Sequence, residues 1–153
     1  MKEKILVSAC LIGENCRYDG KNCLHKEIMQ LAKYYDLIPI CPEVSGGMKT
    51  PRPCSEIKGD RVVNEKGNDV TTFYRDGAYW ATSIARIYQV RLAIMKEKSP
   101  SCGSKLIHNG SFDGTVIPGK GITVRQLEKM GVKVIDEDDA KELLKTLEGK
   151  QND

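Results

Sequence analysis

The sequence predicts an α/β fold, a single Rossmann-like domain with a mainly parallel sheet, helices on both faces and one small hairpin insertion. Two observations predict it. Short apolar runs alternate four times with stretches whose apolar residues recur at helical spacing. Turns rich in Gly, Pro, Asn and Ser separate them. At 153 residues the chain is long enough to bury one core without disulfide support. Residues 1–148 are expected to form the domain and 149–153 a flexible C-terminal tail.

Residues 4–9, KILVSA, read as a buried strand ending in a polar turn, and GENCRYDGKN as a loop. Residues 25–35 carry Ile28, Leu31, Ala32 and Tyr35 at helical spacing, and DLIPIC is the second strand. PEVSGGMKTPRPCSE is too rich in Pro and Gly to be regular, whereas DRVVNEKGNDVT reads as two extended pieces around a Gly-centred turn, the hairpin. Residues 72–90 place Phe73, Trp80, Ile84 and Ile87 or Tyr88 on one helical face, so Trp80 is expected in the core. Gly77 weakens that helix by about 1 kcal/mol relative to alanine, which leaves its start open.

VRLAIMK is the third strand, SPSCGS a turn, and KLIHNGSFDGTVIPGKG a polar, turn-rich segment. Thr123 is placed to cap the helix VRQLEKM and Gly131 to close it. VKVID is the fourth strand, and EDDAKELLKTLEG a last helix with acidic residues at its positive end.

A formal net charge of +3 is too small to imply nucleic-acid binding, and no aromatic–basic surface motif suggests it either. The apolar run near the N-terminus is too short for a signal peptide, and no run has transmembrane length. A cytoplasmic chain is expected. In a reducing compartment, six cysteines point to metal ligands, nucleophiles or buried thiols rather than to a disulfide framework.

Cys10 follows the first strand, Cys41 ends the second and Cys102 lies a few residues past the third. Right-handed crossovers put the strand C-termini on one sheet edge, where ligands of open parallel sheets bind. Topology alone can thus bring three thiols to one pocket. Equally, cysteines are small and often buried, and some fall near strand ends without common purpose. The paired CxxC of a zinc ribbon or thioredoxin centre is missing, as is the close run of a ferredoxin. A dispersed set of three is compatible with a cubane iron–sulfur cluster that keeps one iron open. Cys16 and Cys23 in the first loop either approach the site or are plain surface or core thiols, and Cys54 in the second is near enough to compete as a ligand, the plain reading being favoured for each.

SACLIGENCRYDG, CPEVSGG, TPRPCSEI, GNDVT, KEKSPSCGS and GTVIPGKGIT, in that order, resemble the DUF523 family over nearly the whole chain. That family includes thiouracil desulfidases, which use a 4Fe–4S cluster held by three cysteines to replace the thiocarbonyl sulfur of 2- or 4-thiouracil compounds by oxygen. The resemblance implies Cys10, Cys41 and Cys102 as ligands, and Glu43 and Ser99 as acid/base residues. The implied partner is a small thiolated pyrimidine or its nucleotide, such as 4-thiouridine monophosphate. The chain departs from the family pattern at Cys54, which follows TPRP, and Cys16 is replaced in many members.

Residue chemistry is consistent with that implication. A thiocarbonyl sulfur is soft and suits an open iron, and a carboxylate two residues from a ligand can take and return a proton. Arg17 and Arg52 either bind a substrate phosphate or hold their loops by pairing with acids such as Asp19 or Glu56. Ser101 and Gly103 offer backbone N–H groups for an anion nest. Pro100 and Gly103 should turn SPSCG sharply, sending Cys102 to the metal and Ser99 to the substrate. His25 and His108 are read as helix-start and turn residues. The alternative function is a metal-binding or cluster-carrier protein without desulfidase activity.

Overall fold

The computed structural model describes residues 1–151. In chain order its elements are β1 (Glu3–Ser8), α1 (Lys26–Gln30), β2 (Tyr35–Ile40), α2 (Pro42–Ser45), β3 (Ser55–Lys58) and β4 (Arg61–Asn64). There follow α3 (Thr71–Ile87), β5 (Leu92–Ile94), β6 (Leu106–His108), β7 (Val116–Pro118), α4 (Ile122–Lys129), β8 (Lys133–Ile135) and α5 (Glu137–Gln151).

The central sheet has the order β2-β1-β5-β8 and every pairing in it is parallel, as the alternation predicts. Central β1 is apolar at consecutive positions because both its faces are covered. Leu6 packs with Ala81, Ala85 and Leu127 of α3 and α4. Ile5 and Val7, one pleat away, pack with Ile28, Ala140 and Leu144 of α1 and α5. Pro39 sits opposite Val7 in β2. It is tolerated because β2 is an edge strand, where a missing N–H need not break a ladder.

The α3 helix turns a different face inward from the one its aromatics suggest. Tyr74, Gly77, Ala78, Ala81 and Ala85 are buried, whereas Phe73, Trp80, Ile87 and Tyr88 are exposed. Trp80 is 53% exposed and is not a core residue. Small side chains let α3 approach α2 closely: a Cβ on Gly77 would collide with the Pro42 carbonyl, and one on Gly46 with the Phe73 carbonyl. Gly77 is therefore a contact point rather than a weak spot.

The first hairpin pairs β3 with β4 around Gly59 and Asp60, one strand earlier than the sequence suggests. The expected second piece makes only a bridge from Asp69 to Val63, since the Thr71 hydroxyl takes the Val62 N–H and the chain enters α3. A second hairpin, β6–β7, stands where only a turn-rich segment was expected. Strands of three residues are too short to show a period.

Thr123 does not cap α4. It lies inside the helix, fully buried, and its Oγ1 has no partner among the described residues. The first-turn N–H groups go instead to the carbonyls of Pro100 and Ser101. Gly131 closes the helix as expected, at φ 92° with its N–H on the Glu128 carbonyl. The expected tail overlaps α5, which runs to Gln151; residues 152–153 lie outside the described residues. No described helix is long and apolar enough to cross a membrane.

Candidate active site

Because the four strands are parallel, β1, β2 and β5 end on one edge of the sheet. A 3-10 turn, Ala9–Ile12, follows β1 and carries Cys10. Cys41 directly follows β2, and Pro42 opens α2, a position where proline's missing N–H has no helical partner to lose. Glu43 thereby enters the same region in the first turn of α2. The loop after β5 carries Ser99, Ser101 and Cys102. All of these, with Arg17, Arg52, Cys16 and Cys54, line a single cavity of about 450 Å³.

The Cys102 loop is fixed by its own hydrogen bonds. Ser99 Oγ accepts the N–H groups of Ser101 at 3.1 Å and Cys102 at 3.0 Å, and Gly103 N–H donates to the Ser99 carbonyl at 2.9 Å. The sharp turn appears as expected, and a Cβ on Gly103 would press on the Leu106 carbonyl oxygen at 2.6 Å. The expected anion nest does not form, since the Ser101 and Gly103 N–H groups are engaged within the turn. Glu97 locks the outer side: its Oε1 accepts backbone N–H groups from Lys98, Ser104, Lys105 and Leu106.

Glu43 is held by three donors. Arg52 Nε at 3.0 Å and Tyr74 Oη at 2.9 Å reach Oε1, and Ser101 Oγ at 3.2 Å reaches Oε2. Burial and the neighbouring Glu43 carboxylate push the Tyr74 phenol well above its ordinary range, so it stays a donor. Ser55 Oγ lies near that phenol but outside hydrogen-bond geometry. Ser99 does not touch Glu43 directly. Its Oγ lies 3.0 Å from Ser101 Oγ, which bridges onward to Glu43 and also to Cys102 Sγ at 3.3 Å.

Arg52 is not free to bind phosphate. Besides Glu43, it donates to the carbonyls of Lys49 and Cys16 and to the Thr50 hydroxyl, and its side chain is 4% exposed. Arg17 pairs with neither expected acid. Its Nη1 donates to Cys23 Sγ at 3.0 Å, and the guanidinium stands 5.8 Å from the Tyr18 ring centre.

The cysteines separate by surroundings. Hydrogen bonding to Cys10 pushes the Cys16 thiol up to about 11, with Cys41 bonding on its other side. Cys41 is raised further, by Cys16 and by burial, and burial pushes Cys102 up to about 12. Of the two readings open for Cys16, approach to the site and a plain surface or core thiol, the first holds: it lines the cavity with the expected ligands. Cys54, on the same cavity wall, is raised by burial and by Glu65 and Glu56. Among the described residues, no three His, Cys, Asp or Glu side chains converge on a single-ion site. The cavity instead offers soft thiols from three separate loops, a donor set that fits a thiolate-held polynuclear iron–sulfur group better than a compact tetrahedral ion.

Tyr74 and Cys16 were not assigned to the site from sequence, and neither were His108 and Phe112, which line the same cavity from the second hairpin. Tyr74 carried no signal that separated it from Phe73 beside it. Asn109-Gly110 and Asp113-Gly114 did mark a turn in that region, but not its position against the thiols.

Comparison with known proteins identifies the family. A family model described as 2-thiouracil desulfurase matches residues 5–139. An uncharacterized protein, YbbK, of Bacillus subtilis (strain 168) is 38% identical over 150 residues, covering 92% of this chain and 99% of that protein. The solved structure of a 4Fe-4S-dependent thiouracil desulfidase, TudS, superposes with a TM-score of 0.89 at 42% identity, covering 96% of this chain and 99% of the other. Sequence and fold agree along nearly the full length, and the chain belongs to the 2-thiouracil desulfurase family.

Proposed function

We propose that this enzyme is a non-redox desulfidase that replaces the thiocarbonyl sulfur of thiouracil-type pyrimidines with oxygen and releases sulfide. In this reading Cys10, Cys41 and Cys102 hold a 4Fe–4S cluster. The observation that carries it is the convergence of three thiols from three strand ends on one cavity beside the clamped carboxylate of Glu43. The name of the TudS structure supports the cofactor and the substrate class. When bound through Cys10, Cys41 and Cys102, the cluster would supply Lewis-acid chemistry suited to a soft thiocarbonyl sulfur.

Glu43 serves as the base. A carboxylate offers about four acceptor sites, and three are filled by Arg52, Tyr74 and Ser101, which leaves room for the attacking water. Arg52 and Tyr74 fix the carboxylate's orientation from behind. Ser101 acts as the relay between Glu43 and Ser99, so a proton taken at Oε2 can pass along two hydroxyls towards the Cys102 side. The balance is simple: water supplies the oxygen, and its two protons leave with sulfide. Arg17 and Lys98 at the cavity wall are the cations available to a nucleotide phosphate, which favours 4-thiouridine monophosphate over the free base. Six thiols and this cofactor suit a reducing cytoplasm.

Anaerobic reconstitution followed by assay of sulfide release from 4-thiouridine monophosphate, 4-thiouracil and 2-thiouracil tests the proposal. The expected protein is brown, with about four irons per chain. Glu43→Gln should keep the cluster absorbance and lose most turnover. A colourless zinc protein, or an iron-loaded protein that releases no sulfide, would point to metal binding or cluster carriage instead.

A further inference from the structure

The two hairpins add a second set of groups to the cavity wall, and the reaction as derived above gives them no part. Phe112, in the loop between β6 and β7, has φ 55°. A left-handed backbone is unfavourable for a bulky residue and is kept only where surroundings enforce it. Here the enforcing group is Glu56 on β3, itself 7% exposed. Its Oε1 accepts the N–H of Gly110 at 2.9 Å and that of Phe112 at 3.2 Å. A buried carboxylate thus holds an aromatic residue in a strained conformation. Yet the ring is not core: Phe112 stays 36% exposed and lines the cavity. Strain that gains no packing is characteristic of a binding surface.

His108, at the end of β6, lines the same cavity, and its Nδ1 is buried without a hydrogen-bond partner among the described residues. Such an orphan is costly unless a ligand completes it.

We propose that Phe112 and His108 form the pyrimidine-recognition subsite. The flat ring of the substrate stacks on Phe112, and a nitrogen of His108 hydrogen-bonds to a ring N–H or exocyclic oxygen on the base edge. Glu56 is a positioning residue that acts through Phe112. The proposal rests on the desulfidase reading and adds to it the groups that select a nucleobase.

The test uses anaerobically reconstituted wild type, Phe112→Ala, Phe112→Tyr, His108→Phe and Glu56→Ala. It measures iron per chain, kcat and KM for 4-thiouracil, and calorimetric binding of uracil, the desulfurated product. Phe112→Ala should raise KM and the uracil Kd roughly five- to hundredfold with unchanged iron, the range expected for losing one base–aromatic stack. Phe112→Tyr should stay near wild type. His108→Phe should weaken uracil binding while keeping the ring's bulk, and Glu56→Ala should raise KM more than it lowers kcat. Wild-type KM and uracil affinity in Phe112→Ala would overturn the subsite. Failure of the wild type to release sulfide would overturn the desulfidase reading alone if uracil still bound and Phe112→Ala weakened it. Failure of the wild type to bind uracil as well would overturn both.

Discussion

Arg52→Met removes the guanidinium that joins three parts of the site. In the native chain it ion-pairs with Glu43 at 3.0 Å and ties down the carbonyls of Cys16 and Lys49. The side chains of the pair are 4% and 14% exposed, so neither charge is well solvated. Removing one partner of a buried pair costs about 3–5 kcal/mol, because the other charge stays buried and unpaired. Glu43 keeps the Tyr74 and Ser101 hydrogen bonds, which places the expectation at the low end, about 3 kcal/mol. For a chain of this size each kcal/mol moves Tm by about 2–4 °C, so Tm should fall by about 6–12 °C.

The assay is anaerobic thermal unfolding of wild type, Arg52→Met, Glu43→Gln and the double variant, compared at equal iron content. The double variant removes the stranded charge. It should therefore be clearly more stable than the sum of the two single losses, with a coupling of roughly 1–3 kcal/mol. Arg52→Met within about 2 °C of wild type, against the roughly 6 °C minimum expected, would refute the burial argument. Additive losses would refute the direct pairing.

Three further predictions concern the frame. Gly77→Ala should cost at least about 1–3 kcal/mol in denaturant unfolding and reduce iron uptake, since α2 must retreat from α3 and α2 directly follows Cys41; wild-type stability would mean that the helices do not approach this closely. Cys102→Ser should lose the cluster while Cys54→Ser keeps it, because Cys102 lies just past a strand of the parallel sheet whereas Cys54 precedes the β3–β4 hairpin; iron analysis decides, and equal iron in wild type and Cys102→Ser would remove Cys102 from the ligand set. Burial favours the neutral form of Asp136, but the Asp139 N–H and the Lys105 ammonium outweigh it and hold the carboxyl below its ordinary 3.8. The group therefore contributes stability above about pH 4 that is lost as pH falls through its depressed value; Asp136→Asn should be less stable at pH 7 and should lose less than wild type on acidification, as urea titrations at pH 7 and pH 3 would show.

Buried parallel strands announce themselves as short apolar runs, and β1, β2, β5 and β8 were legible for that reason. So was the convergence of Cys10, Cys41 and Cys102, because parallel topology fixes which strand ends share an edge. The inward face of α3 was not legible. Its aromatics and its alanines both recur at helical spacing, and the choice between them depends on the close approach of α2. A sequence shows the period of a helix but not the distance to its neighbour. The β6–β7 hairpin failed for the opposite reason: its strands are too short to establish any period, and pairing alone defines them.

The same contrast explains the site. Cys16 and Tyr74 join it through contacts between segments distant in sequence, which no local motif encodes. What holds the three expected ligand loops also comes from such contacts. Ser8, at the end of β1, accepts the Lys96 N–H and so ties the first loop to the third. Arg52 ties the Cys16 carbonyl to Glu43, and Glu97 gathers four N–H groups around the Cys102 loop. The carbonyls of Pro100 and Ser101 then cap α4, so moving that loop would also leave a helix end unsatisfied. Each ligand loop is thereby anchored by bonds that do not involve a metal. The polar side chains that look catalytic in the sequence divide accordingly: Glu43 retains acceptor capacity on Oε2, whereas Arg52 spends four of its five N–H donors on Glu43, the Lys49 and Cys16 carbonyls and the Thr50 hydroxyl, and serves to keep that carboxylate in place.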